Sequence, residues 1–184
     1  MKAASTLTFV FAILVPLATL LTTGAACTNV ATMKRDDVCH KSCDMKPEWY
    51  KLCQDTLRPV PDTAEVTSYA LMATRQASLK YGDTMNTINQ MLGAGNLPSK
   101  EREAVSHCKG KYGEAGALMA SVAKQLDGCD FTRARQEYID AEVAIRSCQD
   151  GLWSFQYMPL YAMVTADHDL TLVAYELGAL IFGR

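Results

Sequence analysis

The sequence predicts an all-α protein: a disulfide-stapled, up-down four-helix bundle preceded by an N-terminal helical hairpin. Three observations carry this expectation. Apolar residues recur at three- and four-residue steps over long stretches, with no strict alternation. Glycine and proline interrupt those stretches at spacings that suit short turns. Cys108 and Cys148 also flank Gly128 symmetrically, twenty residues before and after it, each on an apolar helical stripe. If the chain reverses at Gly128, a rise of about 1.5 Å per residue puts both sulfurs roughly 30 Å from the turn, at one height. A disulfide between the two helices is then nearly unstrained.

Residues 1–26 read as a secretory signal peptide. Lys2 gives a positive start, residues 7–21 are almost wholly apolar, and Gly24-Ala25-Ala26 supplies small residues for cleavage. The apolar run contains Pro16 and is short of the roughly 20 residues a membrane span needs. Cleavage after Ala26 leaves 158 of the 184 residues, enough for one domain over 27–184 with its own core. No second apolar run is long enough to cross a bilayer, so the mature chain is expected to be soluble, released and free of membrane. Its formal net charge of −2 becomes −3 once Lys2 leaves with the leader, which offers nothing to nucleic acid. There is no Asn-x-Ser/Thr sequon.

The hairpin is expected at about residues 36–57 and the bundle at about 62–184. Pro47 suits a first helical turn, and the residues after it tolerate helix. Arg58-Pro59-Val60-Pro61 then interrupts any helix, and Asp62-Thr63-Ala64-Glu65 has the spacing of a capping box. The first bundle helix places Val66, Tyr69, Ala70, Ala73, Ala77, Met85, Ile88 and Leu92 on one face and stops at Gly93. Ser99 is positioned to cap the second, whose inner face is Ala104, Cys108, Tyr112, Ala115, Met119, Val122 and Leu126, with Gly128 ending it. Asp130 is positioned to cap the third, with Phe131, Ala134, Tyr138, Ala141, Ile145, Cys148 and Leu152 inward; Pro159 is read as a stop soon afterwards. The fourth is expected from about Asp167 to Phe182, burying Leu170, Val173, Leu177 and Ile181. No strand-like segment is evident.

Seven cysteines in a secreted chain read as disulfides. In the hairpin, Cys43–Cys53 is taken as the bridge, with Cys39–Cys53 and an idle Cys43 left open. Cys27, Cys39 and Cys129 remain unassigned; at least one of them is free, removed with the leader, or paired between molecules. The expected state is a monomer, with a disulfide-linked dimer as the other outcome. Cys39-His40 beside Cys43 superficially suggests metal ligands, but no second cluster completes a site, and neither metal nor cofactor is expected.

Catalytic residues are not evident. His40, His107 and His168 are scattered, and His107 points about 100° away from Cys108 on a helix, so the two do not form a thiol and base pair. Glu101 with Glu103, and Asp167 with Asp169, sit near expected helix starts, where negative charge meets the positive end of the dipole. No phosphate-binding glycine loop or serine elbow is present.

Cys43 through Trp49-Tyr50-Lys51-Leu52-Cys53 to Thr56-Leu57 resembles the N-terminal signature of plant invertase and pectin methylesterase inhibitors. His107-Cys108 with Tyr112 and Ala115, and Ala141 to Cys148-Gln149-Asp150, resemble that family's later cysteine motifs, so the likeness covers nearly all of the mature chain. The resemblance implies a four-helix bundle with a helical hairpin, one bridge in the hairpin and one between the second and third bundle helices. It implies a non-enzyme that binds a cell-wall enzyme one to one and covers its active-site cleft, in the apoplast or cell wall, or else the vacuole. In the invertase-directed branch a Pro-Lys-Phe tripeptide before the third helix enters the substrate pocket; the matching residues here are Cys129, Asp130 and Phe131, so only the phenylalanine is kept. The hairpin cysteine spacing is one residue longer than usual, and Met158-Pro159 replaces serine-proline.

A standard interface of about 1,600 Å² wants aromatic or arginine anchors near its centre. Phe131, Asp130, Arg133 and Arg135 are the candidate contacts. Pectin methylesterase is the expected target ahead of acid invertase. The alternatives of another kind are a carrier using space among the inner alanines, such as Ala70, Ala73 and Ala77, and a secreted structural protein.

Overall fold

The computed structural model describes residues 26–44 and 46–183, so the expected leader, apart from Ala26, lies outside the described residues. The elements in order are β1 (Thr32–Lys34), α1 (Arg35–Ser42), α2 (Pro47–Thr56), β2 (Thr63–Glu65), α3 (Val66–Gly93), α4 (Ser99–Asp127), α5 (Ala134–Gly151), a 3-10 turn (Trp153–Phe155) and α6 (Pro159–Phe182). Helix α4 packs on α3 and α5, and α6 on α5 and α3, which closes an up-down four-helix bundle. The α1–α2 hairpin lies mainly against α6, with Trp49 Nε1 donating to Asp169 Oδ1 at 3.2 Å.

The helical faces form as the 3.6-residue period dictates. Val66, Tyr69, Ala70, Ala73, Ala77 and Ile88 are buried on α3; Ala104, Cys108, Tyr112, Ala115, Met119, Val122 and Leu126 on α4; and Ala134, Tyr138, Ala141, Ile145 and Cys148 on α5. Met85, Leu92, Ile181 and Phe131 are only partly buried and pack on the edge of this core. Small residues let the helices approach closely. A Cβ on Gly178 of α6 would sit 2.9 Å from Tyr138 Cε2 and 2.8 Å from Phe182 Cζ.

Hydroxyls cross-link the helices inside the bundle. Tyr112 and Thr84 both donate to Asp167 Oδ2, at 2.7 and 2.6 Å; Tyr81 pairs with Thr171, and Tyr138 with Thr74. Buried polar groups matched in this way select one packing arrangement. Burial raises the Asp167 carboxyl above its ordinary value, against the two hydrogen bonds that hold it down.

Four expectations need correcting. Strands β1 and β2 do exist, paired antiparallel with Thr32 opposite Glu65 and Lys34 opposite Thr63; at three residues each they are too short for periodicity to reveal. The apparent capping box is that second strand, and Glu65 makes no side-chain cap on α3. Helix α6 starts at Pro159, not near Asp167, because proline at a first helical position loses no hydrogen bond and starts the helix rather than stopping it. Side-chain caps are also absent at α4 and α5: Ser99 is already helical after Pro98, and Asp130 accepts instead from Thr132 N at 3.2 Å and Thr132 Oγ1 at 2.5 Å.

The sulfurs supply a further correction. The structure joins Cys39 to Cys53, so Cys43–Cys53 is not formed, and Cys43 is a buried free thiol. Cys39 and Cys43 lie one helical turn apart on the same face, so either stood to reach Cys53 as far as spacing goes. Burial holds the Cys43 thiol above its ordinary pKa, which disfavours the thiolate. Cys27 bonds to Cys129 across 102 residues, within one chain rather than between chains. Cys108 and Cys148 are bonded between α4 and α5.

Candidate functional site

The α4–α5 turn, residues 128–133, carries the candidate contacts Asp130, Phe131 and Arg133, and Arg135 follows in the first turn of α5. Helix α4 ends on Gly128 with an ordinary φ of −92°, and Cys129 takes the left-handed conformation at φ 55°. A non-glycine residue there is costly, and the Cys27 bridge holds it. Gln125, buried at the end of α4, braces the turn from inside: its Oε1 accepts from Arg133 N at 3.1 Å, and its Nε2 donates to Glu137 Oε2 at 2.6 Å. Arg133 completes the loop of contacts with an ion pair to Glu137 at 3.4 Å.

Within that frame, Phe131 is half-buried and packs on the core edge. Asp130 is exposed, and its hydrogen bonds to Thr132 hold its carboxyl below the usual range. Arg133 in the turn and Arg135 in the first turn of α5 are both exposed.

Two aromatic residues escaped the sequence reading. Trp153 is 66% exposed and Tyr157 71%, both in the α5–α6 connection at the opposite end of the bundle. Tyr157 donates to Glu101 at 2.7 Å, and Phe155 stands edge-on to Tyr157 with ring centroids 6.4 Å apart. Residues in a short connection carry no periodic signal to mark them.

The histidines stay apart. His40 stacks on Tyr50 with ring centroids 4.5 Å apart, His107 Nε2 meets Ser147 Oγ at 3.0 Å, and His168 Nε2 meets Glu142 Oε1 at 2.9 Å. The His107 and Ser147 pair lies on the exposed α4–α5 surface. Among the described residues no group of three His, Cys, Asp or Glu is placed to hold a metal ion, and no helix is long and apolar enough to cross a membrane. The sizeable groove near the turn, about 800 Å³, is bordered by Cys27, the Pro59–Pro61 segment, the start of α3, Leu126 and Asp127.

The chain is thus a disulfide-stapled four-helix bundle with an N-terminal helical hairpin and a braced α4–α5 turn. The family model for plant invertase/pectin methylesterase inhibitors matches residues 36–171, and the chain belongs to that family. The fold is similar to the crystal structure of mutant form A of a pectin methylesterase inhibitor from Arabidopsis, with a TM-score of 0.67 and 12% identity over 79% of this chain and 95% of that one. No curated protein sequence matches the chain.

Proposed function

We propose that the mature chain is a secreted inhibitor that forms a one-to-one complex with a plant cell-wall carbohydrate-active enzyme and occludes its active-site cleft. Membership of the inhibitor family carries this reading. The rigid α4–α5 turn supports it, because a surface already fixed before docking loses little entropy on binding. Arg133, Arg135, Asp130 and the exposed edge of Phe131 are the docking contacts.

Pectin methylesterase is the favoured target and acid invertase the alternative. The residues aligned with the invertase-directed tripeptide are Cys129, which is committed to a disulfide, and Asp130, which is acidic where that branch has a lysine. Both changes weaken the case for invertase. The working compartment is the apoplast or cell wall, with the vacuole as the alternative. Assaying each enzyme with the purified mature protein across about pH 4 to 7, from within the ordinary carboxylate range to well above it, separates the targets. Inhibition of neither enzyme removes the proposal.

A further inference from the structure

The backbone N–H of Cys27 points at both oxygens of the Glu65 carboxylate, 3.1 Å from Oε1 and 2.9 Å from Oε2. One amide hydrogen is thus shared between two charged acceptors. An ammonium group at the same nitrogen would give each oxygen its own hydrogen and add a full charge to the contact. Cys27 is also the residue that follows the small-residue segment Gly24-Ala25-Ala26.

We propose that the α-ammonium left on Cys27 by the expected cleavage after Ala26 is held by the Glu65 carboxylate. Hydrolysis by a signal-type peptidase adds one water across the bond, leaving the Ala26 carboxylate on the leader and the amine, protonated at neutral pH, on Cys27. Leader removal therefore converts a shared neutral hydrogen bond into a charge-assisted pair, and the finished fold contains an ion pair that the precursor cannot make.

The surroundings suit this assignment. Cys27 is buried at 7% exposure and, with Ala26 and Glu65, borders the groove. The other charged groups bordering that groove are Arg75 and Asp127, which pair with each other at 3.5 Å and leave Glu65 to the terminus. The pair also anchors the arm that bonds Cys129, so it stiffens the α4–α5 turn through the Cys27–Cys129 bridge. This inference does not depend on which enzyme, if any, the chain inhibits.

The test uses the full chain secreted from a eukaryotic host. Mass analysis of its N-terminal peptide is expected to begin at Cys27; a chain beginning at any other residue overturns the proposal. Competitive trace acetylation between about pH 6 and 10 then reads the α-amine pKa, expected above the ordinary 7.7–8.0 in the native protein and within that range in Glu65→Gln. An ordinary value in both proteins overturns it. As a second variant, one glycine placed between leader and Cys27 keeps the amide and removes the ammonium at that nitrogen. A folded-state pKa raised above the unfolded one gives stability that is complete below the unfolded value and is lost as pH rises through the folded value. The extended protein should melt below the native one at about pH 6 and converge with it above the amine's titration; equal melting at both ends contradicts the assignment.

Discussion

The Tyr112 hydroxyl on α4 donates to the Asp167 carboxylate on α6 at 2.7 Å, inside the bundle and 55 residues away along the chain. Thr84 on α3 donates to the same oxygen at 2.6 Å, so one carboxylate ties three helices together. Removing it as Asp167→Ala orphans two buried hydroxyls, and unfolding experiments should show a loss of about 1–3 kcal/mol for each unsatisfied group.

The same carboxyl makes stability pH-dependent. Its folded-state pKa is raised by burial, with Lys80 opposing and Asp83 reinforcing the shift. A raised pKa means that its contribution is fully present below the unfolded value and lost as pH rises through the folded one. Asp167→Asn keeps an acceptor and removes the titration. Thermal melts of wild type and Asp167→Asn should therefore diverge in favour of wild type as pH falls from neutrality, and a constant difference would contradict the shift.

Cys108→Ser with Cys148→Ser opens a loop with a sequence separation of 40, and Cys27→Ser with Cys129→Ser one of 102. In the chain-entropy model these cost about 4 and 4.7 kcal/mol. Each double variant should melt on the order of 10 °C lower. Only the second should also weaken target binding, because it frees the turn that carries Phe131 and Arg133. Loss of binding in the first pair and not the second would reverse this assignment.

Gly178→Ala probes the α5–α6 contact. The added methyl meets the Tyr138 ring, which is fully buried and held by Thr74, so the neighbour has nowhere to move. Denaturant unfolding should show about 1–3 kcal/mol of destabilisation. A neutral result would mean that Phe182 and Tyr138 shift together.

Much of this fold is legible in the sequence because helices bury residues with a regular period. The stripes of α4 and α5 could be written out residue by residue, and the position of Gly128 between Cys108 and Cys148 placed their bond. What the sequence hid was non-periodic. Cys39 on α1 and Cys43 just past its end are one helical turn apart, so spacing alone did not choose between them, and the Cys27–Cys129 bond joins residues 102 apart that share no periodic pattern. Pro159 reads equally as a helix stop or a helix start until the chain before it is seen to turn. In the candidate site, the resemblance pointed to the segment Cys129, Asp130 and Phe131, whereas the bracing of that turn by Gln125 was hidden, since it depends on Arg133 and Glu137 converging on one amide.

Alanine substitutions locate the docking end. Arg133→Ala with Arg135→Ala should weaken target binding about tenfold or more, the equivalent of about 1.4 kcal/mol. Trp153→Ala with Tyr157→Ala, at the far end of the bundle, should leave affinity within a few-fold. The opposite pattern would move the interface to the aromatic connection.

Titration of the secreted, oxidised protein into a fixed amount of pectin methylesterase at mildly acid pH tests the central claim most directly. Residual activity should fall linearly and reach its floor at equal molar amounts, with a complex of one chain of each eluting together on gel filtration. Undiminished activity of that enzyme, and of acid invertase, at a large molar excess would contradict it.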